Sequence, residues 1–146
     1  MRIYLDNCCY NRPYDDQTSI KISLETQAKL AIQEMVKLGK YALVSSETLE
    51  YEVDASPYSS QVQIIKGFIQ ENTSFYVGKR KRDDVEKLAI EITQTGVKYY
   101  DACHVASAII ADCEYFVTVD KRLLNYQSDK VRIVSPIQFI SETEGI

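Results

Sequence analysis

Asp6 follows the short apolar run Arg2 to Leu5, and Asp120 follows another, Tyr115 to Val119. Carboxylates set directly after apolar strands can support chemistry that needs a hard cation. In an open parallel sheet, ligands bind beyond the carboxyl ends of the strands, where strand order reverses. If these two strands are neighbours there, both carboxylates face one crevice. A divalent cation relieves their repulsion, and hard cations take oxygen ligands. An aspartate after a strand also serves as a helix cap. The matched placement of the two, more than either alone, points to a site.

Further acids stand at comparable places. Asp101 falls in the first turn of an apolar helix, where interaction with the helix dipole is the simpler reading. Glu47, Glu50 and Glu52 follow the apolar run Tyr41 to Val44. Glu47 sits in a first helical turn and reads as a dipole or solvent residue. Glu50 and Glu52 are two apart and diverge on a helix. One of them can face the crevice, and spacing leaves open which. His104, the single histidine, lies beside an apolar helix face and reads as packing near the site rather than as a general acid or base. Gly78 to Arg82 is the dense basic run; Lys79 and Arg80 can hold a phosphate backbone, or the segment is a solvated loop partly neutralised by Asp83 and Asp84. Tyr10 and Tyr14, in the loop after Asp6, can stack on bases.

The elements that must position these residues alternate between strand and helix. Arg2 to Leu5 reads as a strand, followed by a turn-rich loop from Asp6 to Asp16. Thr18 or Ser19 caps a helix that Gly39 stops, with Ile20, Leu24, Ala28, Ala31, Met35 and Leu38 on its inward face. Tyr41 to Val44 is a buried strand, and Ser46 caps a short helix to about Ala55. Pro57 opens another, with Val62, Ile65 and Phe68 inward. Phe75 to Val77 is a third strand. A helix capped by Asp83 or Asp84 ends at Gly96, and another spans Tyr100 to Ala111. Tyr115 to Val119 and Val131 to Val134 are the last strands, and Ser135-Pro136 begins a final helix. This alternation predicts a parallel sheet with helices on both faces. No repeat, low-complexity segment or linker divides residues 1–146, which read as one domain.

Bulk properties narrow the function classes. With 146 residues, 45% of them hydrophobic, the chain can bury a core. Its net charge of -4 argues against simple electrostatic coating of nucleic acid. A metal-dependent site is compatible with it, because bound cations reverse the local sign. The N-terminus lacks the features of a signal peptide, and no stretch has the length of a membrane span, so the expectation is a cytoplasmic protein with no membrane partner. The four cysteines match no zinc spacing and are expected to be reduced.

Three segments together resemble the PIN-domain family, which includes the VapC-type toxins of bacterial toxin–antitoxin pairs. Ile3-Tyr4-Leu5-Asp6-Asn7 is similar to the family's hydrophobic strand ending in Asp. Asp101 to Ala108 resembles its Asp-Ala-x-His-hydrophobic-Ala helix start. Phe116 to Asp120 resembles its strand ending in Thr-x-Asp. The likeness lies in the order and separation of the motifs over the whole chain. It implies a three-layer α/β/α fold with a central parallel sheet of about five strands. It implies Asp6, Asp101 and Asp120 as metal ligands and catalytic acids. The family's Ser-then-Glu pattern aligns best on Ser46 and Glu52, making Glu52 the fourth acid and Glu50 its runner-up. Thr118 and Asn7 would support the ligands. The implied cofactor is Mg²⁺ or Mn²⁺, and the implied activity is hydrolysis of RNA phosphodiesters. An antitoxin and a second copy of the chain are the implied protein partners.

One departure stands out. Many relatives carry a further acid just after the fourth strand's Asp, where this chain has Lys121 and Arg122. That favours one firmly held ion over two, and makes both cations candidates for substrate phosphate. Two other readings remain. A PIN-like module that binds RNA or protein without cutting is compatible with Lys121 and Arg122. A phosphatase using an aspartate after its first strand would need a second aspartate two residues on, where Cys8 stands.

Overall fold

The computed structural model describes residues 1–145. Its centre is β1 (Arg2–Leu5), in which Ile3, Tyr4 and Leu5 are fully buried. A strand buried on both faces reads as a continuous apolar run, the signature of a parallel sheet covered by helices on both sides. β1 pairs in parallel with β2 (Ala42–Ser46) on one side and β4 (Tyr115–Val117) on the other. β3 (Thr73–Val77) and β5 (Arg132–Val134) complete the order β3-β2-β1-β4-β5. Strand order reverses at β1, so the crevice of an open α/β sheet lies between β1 and β4.

Eight α-helices occur among the described residues: α1 (Asn7–Asn11), α2 (Ile20–Lys37), α3 (Glu47–Asp54), α4 (Ser59–Asn72), α5 (Arg82–Thr93), α6 (Tyr99–Ile110), α7 (Lys121–Leu124) and α8 (Pro136–Glu144). Right-handed crossovers put α2 and α4 on one face and α5 and α6 on the other. α2 packs on α8, and α5 packs on α6. The result is the three-layer α/β/α architecture expected from the sequence. The crossover from β3 to β4 brings the N-terminus of α6 to the end of the sheet where β1, β2 and β4 finish. None of the described helices is long and apolar enough to cross a membrane.

Three expectations are corrected. The segment after Asp6 is not a loop throughout: it folds as α1 and a 3-10 turn, Arg12–Tyr14. α2 does not bury the expected face. Ile20 is 79% exposed and Leu38 83%, with Leu24 and Ala31 also outward, while Glu25, Thr26, Lys29, Ile32 and Val36 are buried. The cause is the α1 segment. Arg12 Nη2 donates to Glu25 Oε1 at 2.8 Å, Thr26 donates to the Arg12 carbonyl at 3.2 Å, and Lys29 Nζ lies 5.4 Å from the Tyr10 ring centre. The Arg12–Glu25 pair and the Thr26 hydrogen bond set the rotation of this helix, and Lys29 is buried with it. Finally, β4 ends at Val117 rather than Val119, and α7 begins at Lys121 after the cap Asp120.

Candidate functional site

The pairing register carries Asp6 and Thr118 to adjacent positions. Leu5 is opposite Val117, and the Asp6 amide donates to the Val117 carbonyl at 2.9 Å. Thr118 Oγ1 then donates to Asp6 Oδ2 at 2.8 Å, and the Asn7 amide donates to Oδ1, also at 2.8 Å. The Cys8 thiol lies 3.3 Å from Oδ2 as a further donor. Asp6 is thus a buried carboxylate held on both oxygens. Thr118 is itself fixed, since its amide donates to the Val134 carbonyl of β5 at 2.9 Å and its hydroxyl accepts from the Asp120 amide at 3.1 Å.

Asp120 caps α7, with Oδ1 accepting from the Arg122 amide at 2.8 Å. Lys121 and Arg122 are exposed in the first turn of that helix. Asp101, in the first turn of α6, is half-buried. Burial lifts its carboxyl above the ordinary range, and the charges of Asp6 and Asp120 lift it further.

The two glutamates part company on α3. Ser46 accepts from the Leu49 amide at 3.1 Å and so starts this helix. Glu52 Oε2 then lies 2.9 Å from His104 Nε2. The ligand atoms of Asp6, Glu52 and His104 all fall within 4.8 Å of one another. Asp101 and Asp120 lie outside this tight group but close enough to act on one another electrostatically. Glu50 is absent from this group and acts instead on Tyr76 of β3, whose hydroxyl pKa is raised by burial and by Glu50.

His104 is fully buried, and its surroundings explain why. Its Nε2–H donates to the Glu52 carboxylate. Its Nδ1 lies 2.6 Å from the Tyr4 hydroxyl, which lies 2.6 Å from Ser46 Oγ. A chain of hydrogen bonds therefore runs from the start of α3, through β1 and α6, back to Glu52. Burial alone would lower the pKa of His104, but the hydrogen bond to Glu52 and the charges of Asp6, Glu52 and Asp101 raise it overall. Burial also pushes Glu52 up; the His104 hydrogen bond and charge, with a hydrogen bond from Asn7, outweigh it and hold the carboxyl below its usual value.

The donor set suits a hard divalent cation. It offers four carboxylates at one end of the sheet. It also holds the Asn7 Oδ1 oxygen, buried beside Asp6 without a hydrogen-bond partner. Oxygen donors of this kind match Mg²⁺ or Mn²⁺ better than a soft metal.

Lys79 and Arg80 are exposed in the 3-10 turn Lys79–Lys81 after β3, and line neither the cleft holding Asp101 nor the one holding Glu52. Tyr10 is 1% exposed and cannot stack on a base, whereas Tyr14 stays exposed. Two residues that touch the site were not singled out for it from the sequence. His104 read as packing, although a lone polar ring in the Asp101 helix start was a usable signal. Cys8 gave no signal, because its contact with Asp6 and Thr118 depends on α1 forming.

The molecule is thus a three-layer α/β/α protein with a carboxylate cluster at the carboxyl ends of its parallel strands. Two solved structures share this fold. VapBC2 from Rickettsia felis, bound to a DNA fragment from their promoter, aligns with a TM-score of 0.55 over 91% of this chain and 97% of that one, at 14% identity. FitAcB from Neisseria gonorrhoeae aligns with a TM-score of 0.53 over 92% of this chain and 98% of that one, at 12% identity. No protein-family model and no curated protein matches the chain by sequence. The likeness is one of fold, and that fold is PIN-like.

Proposed function

We propose that this chain is a metal-dependent ribonuclease of the toxin–antitoxin kind, hydrolysing RNA phosphodiester bonds in the cytoplasm. The observation that carries the reading is the meeting of Asp6 and Glu52, from β1 and α3, with ligand atoms within 4.8 Å. Asp101 and Asp120 stand at the same end of the sheet. Mg²⁺ or Mn²⁺ would be held by Asp6, Glu52, Asp101 and Asp120, with Asn7 in support. When bound, such an ion lowers the pKa of its water and stabilises the leaving oxygen. Thr118 orients Asp6, and His104 orients Glu52. Lys121 and Arg122, exposed in the first turn of α7, would meet substrate phosphate. Lys79 and Arg80 would at most touch a more distant part of the strand. The fold shared with VapBC2 and FitAcB supports a protein antitoxin as partner, and the PIN resemblance supports a homodimer.

The test is single-stranded RNA with the purified protein, with Mg²⁺ or Mn²⁺ and with chelator. Cutting that needs the ion and disappears in Asp6→Asn supports the reading. A clean preparation that binds RNA or a protein tightly but never cuts favours a non-cleaving module. Cutting that survives Asp6→Asn and chelator removes the site assignment.

A further inference from the structure

Three tyrosines beside the carboxylates have no role in the core. Tyr51 is 67% exposed, Tyr100 61% and Tyr99 43%. The rings of Tyr51 and Tyr100 come from different helices, α3 and α6, yet lie nearly parallel, 10° apart with centres at 6.3 Å. Tyr99 meets Tyr100 edge-on at 5.7 Å. Tyr51 immediately precedes Glu52, and Tyr100 immediately precedes Asp101. A cleft of about 210 Å³ joins the pair to the site, lined by Thr48, Tyr51, Glu52, Ala55 and Tyr100.

The other side of Asp101 differs in chemistry. A cleft of about 660 Å³ there is lined by Asp101 together with Lys98, Arg122 and Tyr126. Among the described residues, neither the Lys98 nor the Arg122 side chain pairs with a carboxylate, whereas Arg12, Arg82 and Arg132 each do. Unpaired cations beside an acidic cluster are available to an anion. The far edge of the tyrosine patch is closed to phosphate, since Arg82 there is held by Glu47 at 2.8 Å and Glu86 adds negative charge.

We propose that the first turn of α6 is the rail for a single RNA strand, with an unpaired base stacked on the Tyr51–Tyr100 pair and its backbone phosphate held by Lys98 and Arg122. Asp101 sits between the two contacts, so the strand crosses the carboxylates. This rests on the ribonuclease reading and adds where on this chain a base and a phosphate of the strand are held. A duplex hides its base faces in its own stack, while a single strand offers faces and phosphates together. The site therefore selects unpaired RNA with little sequence preference, because every base has a face.

The test is binding without cutting, by fluorescence anisotropy in EDTA and again in Ca²⁺. The probes are a labelled oligouridylate and an abasic ribose-phosphate strand of equal length. The wild type binds the oligouridylate more tightly. Tyr51→Leu with Tyr100→Leu loses about tenfold of that affinity and leaves the abasic strand unaffected. Tyr51→Phe with Tyr100→Phe keeps the rings and the affinity, which separates stacking from misfolding. Lys98→Ala with Arg122→Ala weakens both strands and flattens the salt dependence. Equal binding of the two strands, no binding of either, or an oligouridylate affinity indifferent to the leucine pair overturns the proposal; so does a patch that binds only a peptide. Base-dependent binding without metal-dependent cleavage would remove the nuclease reading and leave the rail standing. Cleavage indifferent to the leucine pair would do the reverse.

Discussion

His104 donates from Nε2 to Glu52 across 2.9 Å while its own ring is sealed from solvent. One side chain thus ties a half-exposed carboxylate to the core of the sheet through Tyr4 and Ser46. Replacing it by alanine leaves the Tyr4 hydroxyl one partner short and frees Glu52 to wander. His104→Ala should lower stability by about 1–3 kcal/mol, read by denaturant melts. It should also weaken Mn²⁺ binding by about ten- to a hundredfold, read by calorimetry on folded protein. A stability loss with unchanged Mn²⁺ affinity would mean that the ring only packs.

Glu50 and Glu52 should separate in function. Glu52→Gln keeps the volume and the hydrogen bond to His104 but removes the charge that meets Asp6. RNA cleavage should fall by at least about a hundredfold, more than the loss of an outer supporting group typically causes. Glu50→Gln affects Tyr76 and Lys66, away from Asp6, and should stay within about twofold of wild type, inside the range of ordinary surface changes. Equal losses in a single-turnover assay would contradict this division.

Asp101 should make the stability of the metal-free protein depend on pH. Its carboxyl is raised by burial and by Asp6 and Asp120. Between the unfolded aspartate value near 3.9 and its own higher value, the folded state therefore holds more protons than the unfolded one. Stability without metal should fall as pH rises through that window. A bound cation offsets the repulsion, so the gap between melts with and without Mn²⁺ should widen over the same window. It should reach about 2.7 kcal/mol at a hundredfold excess over Kd. Asp101→Asn should flatten the metal-free trend.

Lys29 behaves oppositely to the carboxylates. Burial holds its ammonium down to about 8, well under the ordinary lysine value. The unfolded chain then binds the extra proton between about pH 8 and the usual 10.4, so this group adds stability as pH rises through that window. Its contribution is at most about 3 kcal/mol. Cysteine and tyrosine ionisation acts in the same range, so the measurement is the difference between wild type and Lys29→Met. The variant should be the more stable at pH 7, and its advantage should shrink toward pH 10.

The sequence was a good guide wherever a signal was local. Strand positions followed from apolar runs such as Ile3-Tyr4-Leu5, and helix starts from serines such as Ser19, Ser46 and Ser135, all of which cap their helices. It misled on α2, where Ile20, Leu24, Ala31 and Leu38 of the expected stripe face outward while Met35 still packs on the core. A helix rotates to satisfy its partners, and the Arg12–Glu25 pair cannot be seen in the spacing of α2 alone. It misled on Tyr10 for the same reason, since the ring is buried only because α1 forms and packs.

What the sequence determined by itself is the alternation of strand and helix, the placing of Asp6 at the end of β1, and the presence of Asp101 in a helix's first turn. Tertiary structure alone decided which acids meet. It set β1 beside β4, turned Glu52 toward Asp6 and Glu50 toward Tyr76, and buried His104 where it can hold Glu52. The reason is physical. A strand or cap is stabilised by neighbours a few residues away, whereas Asp6, Glu52 and Asp101 are joined only through packing between elements distant in the chain. That packing is chosen by the whole core rather than by any one segment.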